Sequence, residues 1–214
     1  MDLLKRIAGD LELGLNDEVR TLVQQALETR LSASMILNDG LLAGMAVIGR
    51  RFKVHEIFLP DVLLAARAMH AGLELLEPLL ASEDVQPRGT VVLGTVAGDQ
   101  HDIGKTLVGI MLRGAGYEVV DLGIDISPEG FVDAALEHEA PVIGMSALLT
   151  TTMPAMGAVV RHVNERNLNG KIQTLVGGAP VTQQFALEIG ADAYAYDAAS
   201  AVETVEALFQ GRSC

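Results

Sequence analysis

Over roughly the first eighty residues, apolar side chains recur at spacings of three and four, and glycine and proline are sparse. This is the helical period. It predicts four helices, near Leu3–Leu13, Asp17–Arg30, Ser34–Phe52 and Phe58–Leu80. Asn16 and Ser32 are the expected N-caps of the second and third, and Pro60 suits the first turn of the fourth. The result is a small helical bundle. The stretch ASEDVQPRG, residues 81–89, is polar and holds a proline and a glycine, which marks a linker over 82–89 between domains at 1–81 and 90–214. Beyond it, short β-branched runs alternate with helical segments: TVVLGTV, YEVVDLG, PVIGMS, IQTLVGG and ADAYAY, each followed by a helix-period stretch. Strands that are apolar throughout belong to a parallel sheet covered on both faces. The second half is therefore read as a doubly wound, five-stranded α/β domain of Rossmann-like or flavodoxin-like type.

Composition narrows the function. Half of the 214 residues are apolar, enough for a real core. A formal charge of −13 repels polyanions and removes the counterion-release term of nucleic-acid binding, so no nucleic acid is expected as partner. The N-terminal MDLLKRIAGDLELGL interrupts its apolar residues with charges and does not resemble an export signal. The apolar stretch IFLPDVLLAARAM is broken by Asp61 and Arg67 and is too short to cross a bilayer. A cytoplasmic protein without membrane association is expected. The only cysteine, Cys214, allows neither an internal disulfide nor a Cys-x-x-Cys metal site.

GDQHDIGKT, residues 98–106, looks at first like a phosphate-binding loop. That loop needs four residues between its first glycine and Gly-Lys; here there are five, and Asp99 and Asp102 would set negative charge against a phosphate. What the loop offers instead is an imidazole two residues after a carboxylate, at the carboxyl end of the first strand, where doubly wound folds place ligands. In an extended loop Asp99 and His101 point the same way. The carboxylate can then fix one ring nitrogen and leave the other to face outward as a metal ligand or proton acceptor. A lone D-x-H is more often a helix cap beside a solvated histidine, and that alternative stands. His55, His70, His138 and His162 show no H-x-x-x-H pairing, so a metal held by His101 must bring its other ligands.

Asp99-x-His101-x-x-Gly104, then Ser146-x-Leu148 after the third strand and Gly177-Gly178 after the fourth, resembles the D-x-H-x-x-G, S-x-L, G-G signature of cobalamin-binding proteins. GMAVIGRRFKVHEIFLPDVLLAARAM, residues 44–69, is similar to the helical cap domain of corrinoid methyltransferase proteins and of cobalamin-dependent methionine synthase. The likeness covers nearly the whole chain. One departure lies at Thr150–Thr152: the methionine synthase relatives end a histidine–aspartate relay on serine, and Thr152 stands there in this chain.

The resemblance implies cobalamin, as cob(I)alamin and methylcobalamin, with its benzimidazole tail displaced from cobalt and buried in the α/β domain. His101 would be the lower axial ligand to the cobalt, Asp99 would hold its far nitrogen, and Thr152 would complete the relay. Gln100, Asp102, Ile103 and Gly104 of the loop would contact the cofactor. Ser146, Leu148, Thr150, Gly177 and Gly178 would line the slot for the tail, although the glycine pair alone also suits an ordinary turn. Phe52 and Leu59 match residues that cover the methyl group; apolar residues at this spacing also suit plain bundle core. The implied function is a shuttle subunit carrying a methyl group from a donor-specific methyltransferase to an acceptor methyltransferase, with a reductive activation protein as further partner. The chain has no room for the barrels of about 250 residues that activate donor and acceptor. It would therefore be a cofactor-carrying subunit of a multi-protein methyltransferase system, its cap moving about the linker. Alternatives are the cobalamin-binding subunit of an adenosylcobalamin mutase, a non-catalytic cobalamin sensor, and a flavodoxin-like module without cobalt. The methyl donor, whether methanol, a methylamine, an aryl methyl ether or a betaine, is not encoded in these motifs.

Overall fold

A computed structural model describes residues 3–82 and 86–211. Residues 83–85 of the expected linker, and Cys214, lie outside the described residues. The chain forms two compact units that divide between Gln86 and Pro87, with the short stretch Gly114–Gly116 grouped with the first.

The first unit is helical: α1 Leu3–Glu12, α2 Asn16–Glu28, α3 Ala33–Met35, a π-helical segment Ile36–Leu42, α4 Ala43–Lys53 and α5 Leu59–Ser82. Leu4, Ile7 and Leu11 of α1 and Val19, Leu22, Val23 and Ala26 of α2 are buried, one stripe on each helix. Ser32 caps α3 as expected, its side chain accepting from the Met35 N–H. Asn16 does not cap α2. Leu15 occupies the cap position, Asn16 is the first helical residue, and its buried Oδ1 has no partner among the described residues. The expected third helix exists as one run whose middle widens into π geometry. There Gly40 and Gly44 face α1 so closely that a Cβ on Gly44 would lie 2.9 Å from the Ala8 carbonyl oxygen. The fourth helix begins at Leu59 with Pro60 in its first turn and runs through Pro78, whose ring lies on an exposed face.

The second unit is the expected α/β domain. Its strands are β1 Thr90–Thr95, β2 Glu118–Asp121, β3 Val142–Ser146, β4 Gln173–Gly177 and β5 Ala193–Ala195. Helices α6 Ile103–Gly114, α7 Pro128–Glu137, α8 Met153–Glu165, α9 Gln183–Ile189 and α10 Ala198–Gln210 alternate with them. All pairings are parallel and the order is β2-β1-β3-β4-β5. Central strands β1, β3 and β4 are buried almost throughout, whereas edge strand β2 is half open. Phe131 of α7 is fully buried against β1, and Gly94 makes room for its ring: a Cβ there would lie 2.6 Å from it. With this order, the direction in which successive strands are added to the sheet reverses between β1 and β3, and their carboxyl ends flank the crevice where such folds bind ligands.

Candidate functional site

Register brings the ends of three strands level at that crevice: Thr95 pairs with Ser146, and Ser146 with Gly177. From the end of β1 the chain enters the 96–102 loop. Asp99 is fully buried there while His101 keeps half of its side chain exposed.

Asp99 gathers five donors. His101 Nδ1 lies 2.7 Å from Oδ1, which also accepts the His101 backbone N–H at 3.1 Å. Its other oxygen accepts the backbone N–H groups of Leu148 (2.8 Å) and Leu149 (3.2 Å) and the Thr152 hydroxyl (2.7 Å). Burial by itself would raise the Asp99 pKa. The hydrogen bonds from Thr152, Leu148 and His101 outweigh it and hold the carboxyl well below the usual carboxylate range. An ionised Asp99 accepts only, so the hydrogen-bond network assigns the imidazole proton to Nδ1. Nε2 takes no part in that network and makes no hydrogen bond among the described residues.

Thr152 occupies the N-cap position of α8 without capping it. Its hydroxyl turns to Asp99, with the Leu149 carbonyl oxygen as a second acceptor at 2.9 Å. One proton can serve only one acceptor at a time, so this threonine can keep or release the carboxylate by a rotation of its hydroxyl. The departure from serine therefore keeps the hydrogen bond. The capping alternative for Asp99 does not hold, since both carboxylate oxygens are committed to His101 and the 148–152 segment.

The other expected site residues divide into two groups. Gln100, Asp102, Ile103 and Gly104 lie exposed along the loop and the start of α6. Ser146 is half-buried and its carbonyl accepts the Val96 N–H (3.1 Å), tying the β1 and β3 ends together. Leu148 contributes through its backbone N–H, with its side chain exposed, and Thr150 is exposed beside it. Gly178 has φ of 134°, and a Cβ on it would fall 1.9 Å from the Ala147 carbonyl oxygen, so only glycine lets these loops approach. Gly177 is half-buried, its position for a Cβ 3.1 Å from the Ala195 oxygen. In the helical unit, Phe52 near the end of α4 and Leu59 at the start of α5 are both half-buried.

Sequence reasoning missed the support of this loop. Thr95 Oγ1 donates to the His101 carbonyl (3.0 Å), the Asp125 N–H donates to the Asp99 carbonyl (3.1 Å), and Asp125 Oδ1 accepts the Gly98 N–H (2.7 Å). Asp125 adopts φ of 56°, a conformation that aspartate tolerates better than most residues.

Among the described residues no group of three or more His, Cys, Asp or Glu side chains could hold a metal ion. A metal bound at His101 must therefore come already ligated. A corrin, which supplies four nitrogens to its cobalt, meets that condition, and a ring anchored through Nδ1 could offer its other nitrogen to such a group. The residues present fit the group.

A five-stranded parallel sheet with an anchored imidazole at its β1/β3 crevice defines a doubly wound ligand-binding domain. Residues 89–206 match the B12 binding domain family, and residues 3–77 match a second family likewise described as a B12 binding domain. The chain belongs to the B12-binding family of corrinoid proteins. It is 45% identical over 206 residues to a corrinoid protein of Desulfitobacterium hafniense strain Y51, covering 95% of each. It is 42% identical to dimethylamine corrinoid protein 1 of Methanosarcina acetivorans, covering 97% of each. Its fold is similar to a chain of the methanol:cobalamin methyltransferase complex of Methanosarcina barkeri, with TM-score 0.88, 34% identity, and coverage of 98% of this chain and 80% of that one.

Proposed function

We propose that this protein is a corrinoid shuttle subunit, carrying a methyl group on cobalamin between methyltransferases. The observation that carries the reading is the His101–Asp99–Thr152 chain, which anchors a half-exposed imidazole through Nδ1 at the β1/β3 crevice and leaves Nε2 outside that network. When bound, cobalamin supplies a cobalt centre able to take up a methyl group and give it up again. The residues of this chain hold and tune that centre. His101 would offer Nε2 to the cobalt, Asp99 would keep the Nδ1 proton in place, and Thr152 would stabilise the carboxylate by donating its hydroxyl hydrogen bond. Gln100, Asp102, Ile103 and Gly104 would border the ring, and Ser146, Leu148, Thr150, Gly177 and Gly178 would line the slot for the tail. By their resemblance to cap-domain residues, Phe52 and Leu59 are assigned to the apolar cover of the methyl group. The corrinoid relatives favour this reading over a mutase subunit or a sensor.

The partners are a donor-specific methyltransferase, an acceptor methyltransferase and a reductive activation protein, meeting the chain in the cytoplasm. No helix among the described residues is long and apolar enough to cross a membrane. The donor is set by the first partner. The test is to mix the cobalamin-loaded chain with a donor methyltransferase and isotopically labelled donor. Label should appear on the chain and pass to acceptor when the second methyltransferase is added. Loaded chain that stays unlabelled with methanol, methylamine, aryl ether and betaine systems alike would refute the shuttle.

A further inference from the structure

Lys105 follows the motif glycine Gly104 on α6, and the chemistry above does not use it. Its side chain is only 3% exposed, and its ammonium lies 2.5 and 2.6 Å from the two oxygens of Asp121 at the end of β2. Stability alone does not call for such a pair, because a close-packed apolar pair of similar volume commonly does as well. What it holds is more telling. Asp121 Oδ1 also accepts the Gly123 N–H (2.9 Å), and the Gly123 carbonyl accepts the Thr95 N–H (3.0 Å). Thr95 in turn donates its hydroxyl to the His101 carbonyl, while Asp125, two residues past Gly123, grips the Asp99 carbonyl and the Gly98 N–H. An unbroken line of hydrogen bonds thus runs from the buried ammonium, through the 121–125 segment, to the backbone of the ligand loop.

We propose that Lys105 and Asp121 are a positioning pair: they fix the β2–α7 loop so that it clamps the 96–102 loop and sets the His101 imidazole against Asp99. The inference rests on His101 being the cobalt ligand, but it concerns the chain's own geometry and is tested without cofactor. Lys105→Met leaves Asp121 without its cation and frees the 121–125 segment. The double variant Lys105→Met/Asp121→Leu replaces the pair with apolar packing, restoring stability while still lacking the carboxylate that orients the Gly123 N–H.

The readout is solvent exchange of the His101 Nδ1 proton, followed by nitrogen-15-edited NMR on the full cofactor-free chain and assigned by its loss in His101→Ala. Urea midpoints are measured alongside. Exchange should quicken about tenfold or more in Lys105→Met. It should stay fast in the double variant even as the urea midpoint returns toward wild type. Wild-type exchange in Lys105→Met, or recovery of slow exchange together with stability in the double variant, would overturn the proposal. If Lys105→Met does not fold, the double variant decides alone, slow exchange there refuting the positioning role. Cobalamin spectra of His101→Ala test the ligand assignment separately, so the two ideas can fail independently.

Discussion

Replacing Asp99 by asparagine exchanges one carboxylate oxygen for an amide NH2 and should cost stability and the imidazole tautomer together. The carboxylate accepts from five donors: three on Oδ2, from Leu148, Leu149 and Thr152, and two on Oδ1, both from His101. An amide has a single acceptor oxygen. If that oxygen replaces Oδ2, the new NH2 faces the His101 N–H, which loses its partner, and faces Nδ1, which must become an acceptor and send its proton to Nε2. One unsatisfied backbone donor and the loss of charge-assisted bonds together come to about 2–4 kcal/mol. Urea denaturation of the cofactor-free chain near neutral pH measures the loss, and nitrogen-15 shifts of His101, recorded above the ordinary histidine range, read the tautomer. The pH dependence gives a further check. Because the folded-state pKa of Asp99 lies below its ordinary value, its contribution to stability is complete above about pH 4 and is lost as pH falls further. The gap between wild type and Asp99→Asn should therefore narrow on acidification. A gap below about 0.5 kcal/mol near neutrality, or an Asp99→Asn protein with Nε2 still unprotonated, would refute the account of the site.

Adding cobalamin to His101→Ala should give an absorption spectrum distinct from that of the wild-type complex; identical spectra would remove His101 as ligand. Thr152→Ser should leave the Nδ1 proton and the stability close to wild type, whereas Thr152→Val should cost about 1–3 kcal/mol by stranding a buried carboxylate lone pair, as denaturant midpoints would show. Gly178→Ala forces a methyl group onto the Ala147 carbonyl and should lower stability by about 2 kcal/mol or more; a thermal midpoint equal to wild type would contradict the close approach of these loops. Phe131→Ala removes the fully buried ring packed on Gly94 and should cost about 3–5 kcal/mol in the same measurement.

Much of this was legible in the chain itself. Period-three-and-four spacing located the four helical rods, apolar strand runs located the parallel sheet, and D-x-H located the one oriented imidazole. Less was legible where the decisive partner is backbone or distant in sequence. Leu148 reads as a slot-lining side chain, yet its amide serves Asp99, and no side-chain pattern announces a backbone donor. Asn16 reads as a cap, but the chain enters the helix one residue earlier. The π-helical turn at Ile36–Leu42 keeps an apolar face inward much as an α-helical turn would, so periodicity does not separate the two. Lys105 enters the sequence reading only as part of the rejected phosphate-loop pattern, because its counter-ion lies 16 residues away on the next strand. A signal was present, since Lys105 shares a helical stripe with the buried Gly109 and Leu112.

Asp99 receives contacts from residues 49 to 53 positions further along the chain, so one carboxylate rivets together two segments that the sheet alone leaves separate. Whatever tightens or slackens its hold on the imidazole must also be felt at the 148–152 turn. Substitutions that retune the His101 imidazole and substitutions in the 148–152 turn should consequently be inseparable in effect, and variants selected for one trait will drag the other with them.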